Sequence, residues 1–160
     1  MSTRTSSHHH FQLNQLSDLD RLVDWLVPRL QPGTMIGLMG PLGAGKTTLT
    51  QRIAQRLGVD QPIDSPTFVL RQAYLTGQNK SKIQSLIHYD FYRLSTLTSL
   101  AETGFFDDLR DPTYLLVVEW ADRFSELTNQ FSWLINLKVN YETNQRQALI
   151  TVRTHSQGVL

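Results

Sequence analysis

Residues 40–47, with the sequence GPLGAGKT, constrain the fold of this chain more than any other segment. They match G-x-x-x-x-G-K-[ST], a loop whose backbone N–H groups wrap around nucleotide phosphates. The apolar residues 35–39 before the loop predict a buried strand, and residues 47–57 after it, closed by Gly58, predict a helix. The alternative is a glycine-rich turn that matches by chance. A strand, this loop and a helix in that order favour a phosphate-binding unit of an α/β domain.

The residue types in the loop suit its expected task. Glycines allow a close turn that side chains would block, and the helix N-terminus directs free N–H groups at a phosphate. Lys46 is expected to bridge the β- and γ-phosphates, and the Thr47 hydroxyl to ligate Mg²⁺. The sequence therefore predicts nucleotide contacts from the loop and the first helical turn: Gly40, Gly43, Ala44, Gly45, Lys46, Thr47 and Thr48.

Length and composition favour one cytoplasmic domain. The 160 residues, 40% of them hydrophobic, suffice for a sheet covered by helices on both faces. A net charge of +1 gives no basic field for autonomous nucleic-acid binding. The lack of cysteine excludes disulfides and cysteine-ligated metals, and no stretch approaches the ~20 apolar residues of a membrane span.

The N-terminal residues are expected to form a flexible tail over residues 1–11. They lack the apolar segment of a secretory signal. The adjacent His8, His9 and His10 suggest a metal site or the remnant of a tag, although such a run on a polar tail is more often neither. The expected domain is residues 12–155, followed by a short tail at residues 156–160.

Hydrophobic periodicity predicts the remaining elements. A helical pattern runs from Ser17, with Asp20 as its capping partner, to about Leu30, and a second helix is predicted at residues 96–109. Strands are predicted at residues 68–75, 85–90 and 115–119, and alternation at 135–141 and 148–152 predicts a hairpin. The predicted fold is a single α/β P-loop NTPase domain, with a mostly parallel central sheet flanked by helices and antiparallel C-terminal strands.

Two carboxylates follow apolar strands and are the candidates for phosphate chemistry. Asp90 ends the strand at residues 85–90, and Glu119 ends the strand at 115–119. Such positions lie at the carboxyl edge of a parallel sheet, where α/β folds bind ligands. Asp90 could instead cap a turn, and Glu119 could pair with a surface base. We assign Glu119 to the metal, because its strand is the more apolar, and Asp90 to the attacking water.

Thr67 lies in the sequence SPT at residues 65–67, between the loop helix and the next strand. In GTPase-like sites this position carries a switch whose threonine senses Mg²⁺ and the γ-phosphate. Ser-Pro-Thr is also an ordinary turn, so spacing alone leaves both interpretations open.

Taken together, these segments resemble the TsaE (YjeE) family of ATPases, bacterial proteins required for threonylcarbamoyladenosine in tRNA. The resemblance runs from about Leu16 to Val152. It is carried by GPLGAGKTT at residues 40–48, SPTF at 65–68, HYDFYRL at 88–94, Gly104, and VEW at 118–120. The loop alone is generic, whereas its combination with the other motifs at these distances is specific.

The resemblance implies roles that agree with those assigned from the residues. Thr47 and Glu119 would hold Mg²⁺, and Asp90 and Thr67 would serve hydrolysis. Arg146 would lie by the nucleotide. Trp120, also within the motif, would lie beside the site unless it is simply a buried tryptophan.

The resemblance also implies a place in a pathway. Members of this family are weak ATPases that act on a TsaD–TsaB complex, and the resemblance implies the same activity and partners for this chain. TsaD, not the ATPase, transfers the threonylcarbamoyl group to adenosine 37 of tRNAs that read ANN codons, so contact with tRNA would be indirect.

Three residues depart from the family pattern. Pro41 replaces a usual acid, and Ala121 replaces the proline that follows the Glu-Trp pair. Leu19 replaces the threonine that, in the family, lies near the adenine, so no base contact is assigned to the first helix.

Two other functions are compatible with the same loop. A small-molecule kinase could grip its acceptor with Asp90 and Arg93, although the later arginines, Arg123, Arg146 and Arg153, are dispersed rather than clustered as in a lid. A nucleotide-gated binding module would need ATP occupancy but no turnover.

Overall fold

The computed structural model describes residues 4–77 and 82–155. Its strands are β1 (Arg4–Gln12), β2 (Met35–Met39), β3 (Arg71–Leu75), β4 (Ser85–Asp90), β5 (Tyr114–Glu119), β6 (Trp133–Asn140) and β7 (Gln145–His155). Its helices are α1 (Leu16–Leu26), α2 (Lys46–Arg56), α3 (Leu97–Glu102) and α4 (Phe105–Asp108). Short 3-10 helices lie at Val27–Arg29, Ala121–Arg123 and Ser125–Leu127.

The strands form one mixed sheet in the order β1-β7-β6-β2-β5-β4-β3. The four central strands, β6, β2, β5 and β4, are parallel to their neighbours in that group. The pairs β1–β7, β6–β7 and β3–β4 are antiparallel. The predicted α/β class, with a parallel centre and an antiparallel C-terminal hairpin, is confirmed.

Both faces of the sheet are buried, because alternate side chains of each central strand enter different cores. In β5, Leu115 and Val117 belong to the core that includes residues of α1 and α2. Leu116 and Val118 belong to the opposite core, which includes Phe105 of α4. Helices on both faces leave the carboxyl ends of the central strands as the edge where side chains can meet a ligand.

The predicted flexible tail over residues 1–11 is wrong for the part that the structure describes. Arg4–Gln12 form β1, which pairs with β7 from Arg4 opposite His155 to Gln12 opposite Gln147. Backbone pairing along the open edge of β7 stabilises this polar segment, and Phe11 packs against the core. The tail predicted at residues 156–160 lies outside the described residues.

The histidine run is divided by the pleat of β1. His8 bonds Thr151 and His10 bonds Gln147, both on β7. The ring of His9 contacts that of Trp25, at 4.6 Å between centroids. Successive strand residues point to opposite faces, so the three imidazoles cannot converge.

The observed helix α1 begins at Leu16, one residue before the predicted Ser17, and it ends at Leu26, before the predicted Leu30. Gln15 and Asp18, not Ser17 and Asp20, form its capping box, and α1 gives way to a 3-10 turn at Val27–Arg29. Pro28 lies within that turn, as its missing N–H predicts.

Two other predicted elements also differ. The helix predicted at residues 96–109 is divided into α3 and α4 by Gly104, whose φ of 83° is left-handed. Phe68, Val69 and Leu70 form a turn rather than a strand, and the Leu70 N–H donates to the Pro66 carbonyl at 2.6 Å.

Candidate functional site

The sheet places the predicted site residues at one edge. The loop of residues 40–45 follows β2, and Asp90 and Glu119 end the parallel strands β4 and β5. Glu119 lies opposite Asp90 on one side and opposite Leu38 of β2 on the other. The two acids that the sequence singled out are therefore adjacent to each other and to the loop.

The loop closes tightly before α2. At Gly40, with φ of 134°, an added Cβ would come within 2.3 Å of the Leu137 carbonyl oxygen, so a larger residue is excluded. In the described part of the chain, nothing lies within 4 Å of a Cβ built on Gly43 or Gly45, because both face open space. The helix begins at Lys46, so its free N–H groups border that space. The backbone forms the kind of cradle that an anion fits.

Lys46 is almost completely buried, at 5% exposure. Its Nζ donates to the carbonyls of Gly40 and Pro41 at 2.8 and 2.9 Å and lies 3.9 Å from the centroid of the Trp120 ring. Burial lowers the pKa of Lys46, and the negative charges of nearby carboxylates, Glu119 first among them, oppose that effect. The departure at Pro41 thus leaves the backbone contact to Lys46 intact.

Thr47 and Glu119 are joined at the start of α2. The Thr47 hydroxyl donates to Glu119 Oε1 at 2.7 Å, and His88 Nε2 lies 2.8 Å from the same oxygen. Glu119 is 3% exposed and His88 is fully buried. Hydroxyl and carboxylate oxygens are the ligands that Mg²⁺ prefers in proteins.

Asp90 is joined to the segment that the sequence proposed as a switch. Thr67 Oγ1 donates to Asp90 Oδ2 at 2.6 Å, and Ser65 Oγ lies 2.6 Å from Thr67 Oγ1. The other carboxylate oxygen accepts the Tyr92 N–H at 2.8 Å. Thr67 therefore lies in the site, beside Asp90.

Two cavities meet at the loop. Gly43 and Gly45 of the loop and Thr48 of α2 line both of them. At about 330 and 360 Å³, each is in the size range of small-molecule sites. The polar cavity is lined by the charged and hydroxyl residues Lys46, Thr47, Ser65, Thr67, Asp90 and Glu119. The other, called the apolar cavity here after its apolar side chains Leu13, Leu16, Leu19, Ala44 and Leu137, is also lined by the polar residues Asn14, Gln15, Thr48 and Arg146.

Aromatic residues border the polar cavity. Trp120 is half-buried and its ring contacts Tyr92 at 5.0 Å between centroids. Phe68, next to Thr67, is 84% exposed, and the Arg93 guanidinium lies 4.4 Å from its ring centroid. Trp120 is therefore at the site and not simply part of a core.

Ala121, which replaces the proline of the family pattern, is buried in the core with α4, away from the cavity.

The chain matches one protein family over most of its length. A family model described as "Threonylcarbamoyl adenosine biosynthesis protein TsaE" matches residues 13–148. The chain belongs to the TsaE family. The family resemblance seen in the motifs is thereby confirmed.

Relatives agree with this TsaE assignment. A protein named tRNA threonylcarbamoyladenosine biosynthesis protein TsaE from Synechocystis is 36% identical over 122 residues, 75% of this chain and 74% of the relative. One of the same name from Rickettsia felis is 32% identical over 145 residues, covering 90% and 81%. A third, from Mycobacterium tuberculosis, is 36% identical over 124 residues, covering 74% and 71%.

A solved structure agrees with the fold. The crystal structure of Bacillus subtilis YdiB superposes with a TM-score of 0.63 at 21% identity, covering 95% of this chain and 87% of that one. At that identity the similarity supports the architecture alone.

Two site residues stood in the TsaE motifs without an assigned role. His88 and Ser65 bond Glu119 and Asp90, respectively. Strand alternation could have indicated His88, because residues 88 and 90 share a face of β4. For the apolar cavity, the resemblance pointed only to Arg146 and to the position of Leu19, because the lining comes from the segment before α1, α1 itself, the loop, β6 and β7, which are distant in sequence.

Proposed function

We propose that this protein is a Mg²⁺-dependent ATPase of the cytoplasm, required to form the threonylcarbamoyl group on adenosine 37 of tRNAs that read ANN codons. It acts on a TsaD–TsaB complex through nucleotide-gated binding and hydrolysis, and does not itself transfer the group. The observation that carries the proposal is the meeting of the phosphate loop, the Thr47–Glu119 pair and the Thr67–Asp90 pair at one edge of the sheet. The names of the relatives support the pathway.

The polar cavity fits the triphosphate and its metal. Lys46 is buried, and its Nζ is in direct contact with two carbonyl oxygens and a ring, so a charged phosphate oxygen would be a stronger hydrogen-bond partner. Thr47 and Glu119 supply oxygen ligands for Mg²⁺, directly or through water. When bound, Mg²⁺ supplies positive charge that stabilises the transferring phosphoryl group.

The apolar cavity fits the base. It shares Gly43, Gly45 and Thr48 with the polar cavity, so one nucleotide is proposed to extend over the loop with its phosphates in one cavity and its adenine in the other. Leu19 and Leu137 offer apolar contact to the ring, and Arg146 lies beside it. The replacement at Leu19 thus keeps a surface for the base without a polar side chain there.

Asp90 is the residue proposed to act on the attacking water. Its carboxylate is 2% exposed and is oriented by the Tyr92 N–H and the Thr67 hydroxyl. A carboxylate so placed can accept a hydrogen bond from water and direct it at the γ-phosphorus. Thr67 is proposed to couple this site to the surface, since Phe68 and Val69 follow it and are 84% and 60% exposed.

The mechanism proposed is an ATP-driven reset. Bound ATP orders the Thr67 segment and with it the exposed Phe68 surface, which docks on TsaD–TsaB, and hydrolysis releases it. Reconstitution with TsaD–TsaB, tRNA and the threonylcarbamoyl donor tests this. We expect repeated rounds of modification only when this protein and ATP are both present. Repeated rounds without it would contradict the reset.

Two further outcomes separate the alternatives. An Asp90→Ala variant that binds ATP, does not hydrolyse it and still supports full modification would show that occupancy suffices. Phosphoryl transfer to a sugar, nucleoside or nucleotide far above the rate of hydrolysis would instead show a kinase. Mass spectrometry of tRNA nucleosides after depletion of the protein tests the pathway in cells, where loss of threonylcarbamoyladenosine is expected.

A further inference from the structure

His88 is a fully buried polar residue in an otherwise apolar strand. It lies in β4 between Ile87 and Tyr89, and all three are 0% exposed. Its Nε2 is 2.8 Å from Glu119 Oε1. A carboxylate only accepts hydrogen bonds, so Nε2 carries the hydrogen and donates it.

The second ring nitrogen has no such partner. Among the residues that the structure describes, Nδ1 of His88 is the one buried side-chain nitrogen or oxygen without a hydrogen bond. Burying a polar atom without a hydrogen bond destabilises the folded state, so a core role alone would favour an apolar residue here. The contact to Glu119 is what the imidazole adds to this position.

The Glu119 carboxylate is held from two sides through one oxygen. Thr47 Oγ1 and His88 Nε2 both donate to Oε1. In the described ranges no donor is paired with Oε2. Two donors, one from α2 and one from β4, therefore fix the rotation of the carboxylate and leave Oε2 without a partner from the described residues.

We infer that His88 is a positioning residue that orients the Glu119 carboxylate for the metal–nucleotide complex through its Nε2–H donor. The inference rests on the proposed function, in which Glu119 helps to hold Mg²⁺. Partners that orient a metal-binding side chain typically change metal affinity or activity by about 10- to 100-fold when they are removed.

A pair of amide variants separates this role from a packing role. The amide nitrogen of glutamine can overlap His88 Nε2, whereas that of asparagine reaches only as far as Nδ1. His88→Gln keeps a donor toward Glu119, and His88→Asn moves it out of reach. Both bury a neutral amide of similar polarity in the same site.

The test is the affinity of Mn²⁺ for the protein bound to a non-hydrolysable ATP analogue, measured by electron paramagnetic resonance. We expect His88→Asn to lower the affinity for Mn²⁺ by about 10-fold or more and His88→Gln to retain most of that affinity. Analogue binding in EDTA, where no metal contributes, should be the same for both variants and the wild type. Equal Mn²⁺ affinity in all three proteins, or a loss in EDTA as large as with metal, would overturn the inference.

A second measurement covers the case in which His88→Asn does not fold. Nitrogen-15 NMR of histidine-labelled wild-type protein should show the His88 hydrogen on Nε2, and its resonance should move in Glu119→Ala. A hydrogen on Nδ1 would contradict the inference. If the wild type binds no nucleotide at all, the proposed function fails instead, and this NMR result still decides whether His88 holds Glu119.

Discussion

Lys46 carries a positive charge, and its Nζ contacts two carbonyl oxygens and the Trp120 ring. If phosphates bind in the polar cavity, this charge is fixed where they would lie. Lys46→Ala should therefore reduce ATP affinity or hydrolysis by about 10²-fold or more. Isothermal titration with ATP measures the affinity, and single-turnover hydrolysis measures the rate. Lys138→Ala, which removes an exposed lysine with the same change in net charge, should bind and hydrolyse ATP normally. Equal affinity and equal hydrolysis in the two variants would place the phosphates elsewhere.

The Thr67 hydroxyl is 2.6 Å from Asp90, and its removal leaves that carboxylate with one donor fewer. A hydrogen bond to a charged group is worth about 1.5–3 kcal/mol, so Thr67→Val should slow hydrolysis by roughly 10- to 100-fold. Thr67→Ser keeps the hydroxyl and should retain most of the rate. Single-turnover hydrolysis measures both, and a fast valine variant would show that Thr67 has no part in the step.

At the scale of single residues the sequence was a good guide. A pattern such as G-x-x-x-x-G-K-T specifies local chemistry, and strand ends specify an edge, so the placement of Asp90 next to Glu119 followed from two short segments. The role of His88 did not follow, because its partner is 31 residues away and only strand register brings them together.

At the scale of elements, α4 is tied to β3 and β4 by one buried carboxylate. Asp108 accepts two hydrogen bonds from Arg71, at 2.6 and 2.9 Å, and one from the Tyr89 hydroxyl at 2.6 Å. These bonds raise the pKa of Arg71, and burial raises the pKa of Tyr89, followed by its bond to Asp108. Since β4 ends at Asp90, this cluster supports the strand that presents the catalytic candidate.

Asp108→Ala should therefore destabilise the fold. It leaves a partly buried guanidinium and a buried hydroxyl without their acceptor, at a cost of about 3 kcal/mol in the free energy of unfolding. The neighbouring Asp107 pairs with Arg110 on the surface, where both side chains are exposed, so Asp107→Ala should cost less than about 1 kcal/mol. Urea unfolding compares them, and similar costs would mean that the buried cluster contributes little.

The elements that the sequence mispredicted share a physical cause. Periodicity reports which face is buried, but not where a backbone turns. Gly104 interrupts a helical pattern with a left-handed φ, and residues 68–70 form a turn although their side chains favour a strand. Strand β1 was missed because its pairing with β7 uses backbone groups, which polar side chains do not reveal.

At the scale of the molecule, β1 closes one side of the sheet. It covers the edge of β7, whose backbone groups would otherwise be open to pairing with another chain. The helices of the described residues lie against the two faces, and none of them is long and apolar enough to cross a membrane. Within the described chain, Arg4–Gln12 are therefore part of the folded domain rather than a tail before it.

Deleting residues 1–10 should lower the melting temperature by about 5 °C or more and promote self-association, because β7 becomes an edge strand. Replacing His8, His9 and His10 with serine keeps the backbone pairing and should have a smaller effect. Thermal unfolding and size-exclusion chromatography compare the two. A deletion as stable as the full chain would show that β1 does not dock.

We propose that this edge of the sheet hydrolyses ATP and that Asp90 acts on the attacking water. Single-turnover hydrolysis with Mg²⁺ and the affinity for ATP are measured in Asp90→Asn and, as a control, in Asp122→Asn, which changes an exposed acid. We expect Asp90→Asn to bind ATP within about threefold of the wild type but to hydrolyse it about 10²-fold or more slowly, and Asp122→Asn to match the wild type in both measurements. Hydrolysis by Asp90→Asn at the wild-type rate would contradict it.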